Sequence, residues 1–500
     1  MLVNPAFLKN YCLTWGASNN VLSSINFVPR TFAFRETKLS NPRIEPHRKM
    51  RIGIVTLGCD KNTVDSEYIG GVLEQAGARV LPAGLDPDPG QDLDVVVIQT
   101  CGFIDAAKSQ SLETILTWLE YKREREAEGR PLKVFLSGCL VQRYQRELPA
   151  ELDGVDGYLG VGDYDRVVAL LQTGPLSGPV NLVREMPATV VAHPTPRKPL
   201  SPSRHYAYLK IADGCNHTCA FCAIPSFKGR LRSVPRRILV EEARALIAQG
   251  VRELNLVAQD TSDYGKDLEG GRSALPQLLA DLAALPGDFW IRLFYFYPGG
   301  VTREFLEVMA SSPKIVPYLD MPLQHLHPDV LRRMKRPHLS VNVENTIARL
   351  RRAIPELTLR TTFIVGFPQE TRAEFEYLLN ELRRLRFERV GAFEYSDEEG
   401  TPAARLEPKV PRRTARARYD RLMRTQAEIA EEVARSQVGK ELRVLVESQV
   451  DDITFLARSH MDAPEVDGAV VVRAPRGLRV GEFALVKITG AANYDLFAEA

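Results

Sequence analysis

Three cysteines, Cys215, Cys219 and Cys222, stand in the run Asp213-Gly-Cys-Asn-His-Thr-Cys-Ala-Phe-Cys222 with the spacing Cys-x3-Cys-x2-Cys. Three thiolates within eight residues can hold three irons of a 4Fe–4S cube, because such clusters take cysteine ligands. The run gives the fourth iron no cysteine, and an iron without a protein ligand can bind and reduce a substrate or cofactor. Other chemistry fits less well. A structural zinc site closes with four ligands, and here the fourth would be His217, inside the loop, or a residue brought from elsewhere. A ferredoxin-type cluster needs a compact fourth cysteine, and the stretch Ala223-Ile-Pro-Ser-Phe-Lys-Gly-Arg230 contains none. The chain has seven cysteines, an odd number, and no apolar signal segment, so they read as reduced thiols of a cytoplasmic protein.

Three further cysteines fall at telling places. Short β-rich runs alternate with helical patterns over residues 50–172: Arg51–Leu57, a helix over Val64–Ala76, Leu93–Thr100, a long helix over Asp105–Glu128, and Leu132–Ser137. That alternation predicts a doubly wound parallel sheet. Cys59, Cys101 and Cys139 each follow one of the three strands, at the carboxyl edge where such sheets gather ligands. Each adjoins a glycine (Gly58, Gly102, Gly138) that lets backbone approach closely. A single buried cysteine is often only a small apolar side chain, but three at one edge imply a second three-cysteine cluster. The seventh, Cys12, reads as a bystander. It lies in residues 1–49, which are poor in acids, as a transit peptide would be, although Met50, directly before the first strand, reads as the true start.

The remaining elements complete an α/β architecture. Residues 173–204 carry seven prolines and read as a semi-rigid linker. From 205 to 437, strand patterns at Tyr206–Ala212, Glu253–Ala258, Trp290–Phe296, Ile315–Asp320, Leu359–Val365 and Val390–Tyr395 alternate with helices. Six βα units predict an incomplete (βα)6 barrel with function on the loops after its strands, where Cys215–Cys222 lies. Arg360 and Glu370, near the end of the fifth strand, are candidate cofactor contacts, with salt-bridged barrel residues as the alternative. The aromatics of Trp290–Tyr297 read as core, and the Arg-rich stretches Arg332–Arg336 and Arg412–Arg424 as solvated helix faces. Residues 438–500 predict a small antiparallel β-barrel. No apolar run approaches the length of a membrane span. A net charge of +2 does not announce a nucleic-acid binder, and the C-terminal module holds seven Lys and Arg against ten Asp and Glu.

The cysteine run, with Phe221 before its last cysteine, resembles the radical S-adenosylmethionine superfamily. The resemblance implies that the open iron binds S-adenosylmethionine, that an electron from the cluster cleaves it to methionine and a 5′-deoxyadenosyl radical, and that Phe221 lies near the adenine. Thr56–Glu67, Gln99–Asp105 and Ser137–Cys139 look like the N-terminal domain of methylthiotransferases, and the last module like their TRAM barrel. Gln259–Gly265, Tyr318–His325 and Met461–Gly468 are similar to the RimO-type branch, which modifies an aspartate in the twelfth protein of the small ribosomal subunit. One departure is Gln369, where that family usually has glycine.

The resemblance assigns Cys59, Cys101 and Cys139 to an auxiliary 4Fe–4S cluster that carries or donates sulfur, and Cys215, Cys219 and Cys222 to the cluster that cleaves S-adenosylmethionine. It implies a ribosomal protein substrate, a low-potential electron donor and no membrane. A MiaB-type enzyme acting on adenosine in transfer RNA shares this chemistry, but the acidic C-terminal module suits a basic protein better than phosphates. A non-catalytic iron–sulfur or zinc protein that docks on ribosomes is the reading from another class.

Overall fold

The structure is a computed structural model that describes residues 49–172, 179–187, 196–200, 205–268, 270–336 and 339–500. The N-terminal extension up to residue 48 and most of the proline-rich stretch lie outside the described residues. The first domain is a six-stranded sheet: β1 (Arg51–Thr56), β2 (Arg79–Ala83), β3 (Val95–Thr100), β4 (Lys133–Gly138), β5 (Gly157–Tyr158) and β6 (Val180–Asn181). The order is β2-β1-β3-β4-β5-β6 and every pairing is parallel. Pattern reading finds the three central strands but not β2, β5 and β6. β2 is an edge strand carrying Pro82, which a pattern search demotes, and β5 and β6 have two residues each. The helix Asp60–Gln75 starts four residues before the expected Val64, because its polar first turn is folded under the cysteine edge.

The central domain opens with β7 (Tyr206–Lys210) and a short ribbon of β8 (Ala212–Asp213) and β9 (Arg232–Ser233). It continues with β10 (Glu253–Val257), β11 (Trp290–Leu293), β12 (Ile315–Asp320), β13 (Thr358–Val365) and β14 (Arg389–Glu394). These form an all-parallel sheet ordered β14-β13-β12-β11-β10-β7, the expected incomplete barrel with a seam between its two end strands. Alternation along the strands divides the faces. Leu209, Leu254, Leu256, Ile291, Leu293, Leu319 and Leu359 pack outward in one core with the helices. Tyr208, Lys210, Glu253, Arg292, Tyr318 and Arg389 sit at the intervening positions, where they form polar and ionic contacts.

The N-terminal domain closes this seam. Tyr68, on the helix Asp60–Gln75, donates to Glu242 at 2.9 Å, and Lys210 pairs with Asp65 and donates to Tyr164 Oη at 2.7 Å. On the other side, Glu398, after β14, accepts from Lys108 Nζ at 2.9 Å, Arg143 Nη1 at 3.0 Å and the Asp105 backbone amide at 3.0 Å. Part of the expected linker is also pinned, since Arg197 forms ion pairs with Glu67 and Glu242.

The C-terminal module is a closed barrel of β15 (Glu441–Gln449), β16 (Thr454–Ser459), β17 (Val470–Arg473), β18 (Phe483–Ala492) and β19 (Asp495–Glu499). Four of its pairings are antiparallel; β17 and β19 close it in parallel. Its β16–β17 loop docks on the central barrel. Asp462 pairs with Arg389 at 2.6 Å, Asp467 Oδ2 accepts from Tyr318 Oη at 2.7 Å, and Glu465 Oε1 accepts from Tyr206 Oη at 2.6 Å. Three of the module's ten acids are thus turned toward its own neighbour. Asp462, Glu465 and Asp467 are therefore already engaged and are not free to meet a basic partner.

The Arg-rich stretches also divide. Arg332, Arg416, Arg421 and Arg424 are exposed, but Arg336 and Arg418 are buried. The aromatic run divides likewise: Trp290, Phe294 and Phe296 are core, whereas Tyr295 and Tyr297 face the cysteine sites described next.

Candidate functional site: two sets of three cysteines

The first site is built at the edge of the N-terminal sheet. Gly58 and Gly138 adopt φ of +94° and +98°, a region that costs a side chain strain. A Cβ on Gly58 would lie 2.7 Å from Cys101 Cβ and 2.8 Å from its Sγ. A Cβ on Gly102 would lie 2.8 Å from the backbone of Leu140, next to Cys139. The glycines therefore let the three cysteine loops touch. Asn62, fully buried, ties them: its Nδ2 donates to Leu57 O at 2.7 Å and Thr100 O at 3.0 Å, and its Oδ1 accepts from Cys139 Sγ at 3.8 Å. Ser111 Oγ accepts from the Cys101 amide and donates to its carbonyl, both at 3.0 Å. Burial pushes the thiols of Cys101 and Cys139 up, and each is raised further by the neighbouring cysteines.

The second site follows β8. Cys215 N donates to Gly229 O at 3.1 Å, Ala220 N to Met334 O at 3.0 Å and Cys222 N to Cys219 O at 3.1 Å. The His217 amide and Arg336 Nη1 point at sulfur, donating to Cys215 Sγ and Cys219 Sγ at 3.4 Å each. Burial pushes the thiols of Cys215 and Cys222 up to about 12. All six thiols are free of disulfides. Donors on sulfur and two separate sets of three thiols fit clusters, whose positive irons would reverse the thiol preference and hold the thiolates. His217 does not read as a fourth ligand: its Nε2 sits 2.6 Å from Asp260 Oδ2 and its ring stacks on Tyr297 at 4.3 Å.

The two sites share a wall. The helix Ile224–Lys228, directly after Cys222, packs Ala223 and Phe227 against Cys139. Its last residue, Lys228, is buried on Asp213 at 3.0 Å, and its charge acts on both Cys101 and Cys139. Lys61 lies 3.5 Å above the Tyr295 ring, and Tyr295 Oη donates to Asp60 at 3.2 Å, binding the first site to the barrel.

Phe221 is half-buried beside the small core of Val330, Met334, Phe367 and Ala403. Arg360 pairs with Asp320 at 3.0 Å and Asp467 at 3.5 Å. Glu370, fully buried, accepts from the Gly366 and Phe367 amides and pairs with Arg418 at 3.2 Å. Both are engaged by protein partners. Gln369 takes the left-handed φ of +67° that a glycine would adopt freely, and its Nε2 donates to Glu407 O at 2.6 Å. Arg336, Asn62 and Glu398 escape the sequence reading, since nothing local distinguishes them from solvated polar residues.

The Radical SAM superfamily description matches residues 209–382, the TRAM domain residues 438–500, and a family described as Uncharacterized protein family UPF0004 residues 51–160. The described residues contain no helix long and apolar enough to cross a membrane. The chain is similar in fold to the radical S-adenosylmethionine methyltransferase TsrM of Kitasatospora setae, with a TM-score of 0.51 and 15% identity over 71% of this chain and 77% of that one. Closer in sequence is the ribosomal protein uS12 methylthiotransferase RimO of Desulforudis audaxviator (strain MP104C), 44% identical over 90% of this chain and 96% of its own. The RimO of Anaeromyxobacter sp. (strain K) is 46% identical over 89% and 92%. The chain belongs to the RimO family of radical S-adenosylmethionine methylthiotransferases, and is an enzyme of that type.

Proposed function

We propose that this protein replaces a hydrogen on the β-carbon of an aspartate in ribosomal protein uS12 with a methylthio group. One observation carries the reading: two three-cysteine sites, built on different domains, meet across the contact of Cys139 with Ala223 and Phe227. Cys215, Cys219 and Cys222 would hold one 4Fe–4S cluster, and Cys59, Cys101 and Cys139 the other. With S-adenosylmethionine bound, the first would supply one-electron chemistry for a C–H bond too weakly acidic for a side-chain base, and the second would supply sulfur.

The chain's own residues position these groups. Asn62 and Ser111 fix the auxiliary loops, and the Tyr297–His217 stack walls the other site. Phe221 offers its ring to the adenine. Arg360 and Glu370 act as positioning residues, Arg360 through the docked TRAM loop and Glu370 through the Gly366–Phe367 amides. A low-potential donor supplies the electron.

Anaerobic reconstitution tests the cofactors, with two clusters and dithionite-dependent 5′-deoxyadenosine expected. Mass spectrometry of ribosomal protein and transfer RNA from a deletion strain tests the substrate. Loss of a methylthio group from transfer RNA, with uS12 unchanged, would contradict the proposal.

A further inference from the structure

Arg336 ends a stretch whose pattern marks a solvated helix face, yet it is only 6% exposed. The chain leaves the helix Pro328–Arg333 through Lys335, held at a φ of +57°, and so turns back onto the cysteine loop. Three contacts then fix the guanidinium. Nη1 donates to Cys219 Sγ at 3.4 Å, Nη2 donates to Pro322 O at 2.8 Å, and the group lies 4.6 Å from the centroid of the Tyr297 ring. A guanidinium stays charged at any pH the protein meets. Among the described residues it forms an ion pair with no carboxylate, so the anion it faces is the thiolate of Cys219 once that sulfur is a ligand.

We propose that Arg336 sets the reduction potential of the cluster held by Cys215, Cys219 and Cys222, by donating a hydrogen bond to the Cys219 thiolate. This rests on the cluster assignment above. Reduction adds one electron from the donor to the cluster and breaks no bond to the protein. The added negative charge is stabilised by a fixed cation and by a donor on sulfur, which raises the potential. Arg336 is thus a positioning residue: it acts on the chemistry through Cys219 and keeps the cluster reducible.

The test is a redox titration followed by electron paramagnetic resonance, on the reconstituted full chain without S-adenosylmethionine. The background is the triple variant Cys59→Ala, Cys101→Ala, Cys139→Ala, so that one cluster reports. In Arg336→Met the midpoint falls, so that at the parent's midpoint the reduced-to-oxidised ratio drops about tenfold, equivalent to about 59 mV for one electron. Arg336→Lys, which restores charge without the planar fork, recovers part of that shift. An iron-loaded Met variant with the parent's midpoint overturns the proposal and leaves Arg336 as a brace of the loop. Should the Met variant lose its iron, Arg336→Gln, which removes the charge but keeps a polar side chain, decides, and an iron-loaded Gln variant with the parent's midpoint overturns the proposal equally. A parent that holds no iron at all would instead overturn the cluster assignment.

Discussion

Glu398→Ala should loosen the closure of the barrel seam. The carboxylate is 2% exposed and accepts from Lys108, Arg143 and the Asp105 amide across the domain boundary. Removing one partner of a buried ion pair costs about 3–5 kcal/mol, because the other charge is left uncompensated. Two compensations lower that figure here. Lys108 keeps Asp105 at 2.6 Å, and Arg143 keeps the carbonyls of Gly102 and Glu399 at 2.9 and 3.0 Å. A net loss of about 2–3 kcal/mol follows, or roughly 30- to 150-fold in the ratio of docked to undocked N-terminal domain. Glu398→Gln, which retains an acceptor for the Asp105 amide, should lose about half as much. Hydrogen exchange at the start of the helix Asp105–Ala127 reads this directly, and should quicken in the alanine variant by that factor. S-adenosylmethionine cleavage should persist while methylthio transfer falls. Unchanged exchange at Asp105–Ser111, in a variant whose global unfolding is also unchanged, would refute the idea that Glu398 latches the domains.

Other outcomes follow from the two sites. Cys219→Ala should abolish S-adenosylmethionine cleavage, whereas Cys101→Ala should leave cleavage measurable and stop methylthio transfer; equal loss of both activities in both variants would deny the sites separate roles. Asn62→Ala removes two buried donors from Leu57 O and Thr100 O and should cost about 2 kcal/mol in urea unfolding, with selective loss of iron from the N-terminal site; retention of full iron would count against its role as a tie. In the metal-free protein, Cys215 and Cys222 are pushed up to about 12 by burial, above their unfolded value. Between pH 9 and 12 the unfolded chain gives up protons that the folded chain keeps, so stability is full below that window and falls through it. Cluster-loaded protein, with thiolates already ligated, should show a shallower fall in a thermal melt across the same range.

Much of this site was legible in the sequence because its signals are local. The strands before Cys59, Cys101 and Cys139 announce themselves by buried β-branched runs, and the βα alternation fixes which edge they share. Cys215–Cys222 is a ligand spacing that needs no tertiary information. The residues that escaped act over distance. Arg336 lies 117 residues from the sulfur it touches, and its own stretch has the composition of a solvated helix. Glu398 meets Lys108 from 290 residues away. Counting charge in the C-terminal module was blind for a related reason, since Asp462, Glu465 and Asp467 sit in a loop whose partners, Arg389, Tyr206 and Tyr318, belong to another domain. β19 is hard to read from sequence, because five residues after the turn at Asn493 carry too short an alternation to stand out.

On the proposed function, the two three-cysteine sites work as one machine on a ribosomal protein. Its most direct test incubates the anaerobically reconstituted chain with reductant, S-adenosylmethionine, a sulfur source and uS12, followed by mass spectrometry of the uS12 peptides. A methylthio group is expected on one aspartate, formed only when both sites hold clusters and absent with either Cys101→Ala or Cys219→Ala. Full modification by a protein lacking the Cys59–Cys101–Cys139 cluster would contradict it.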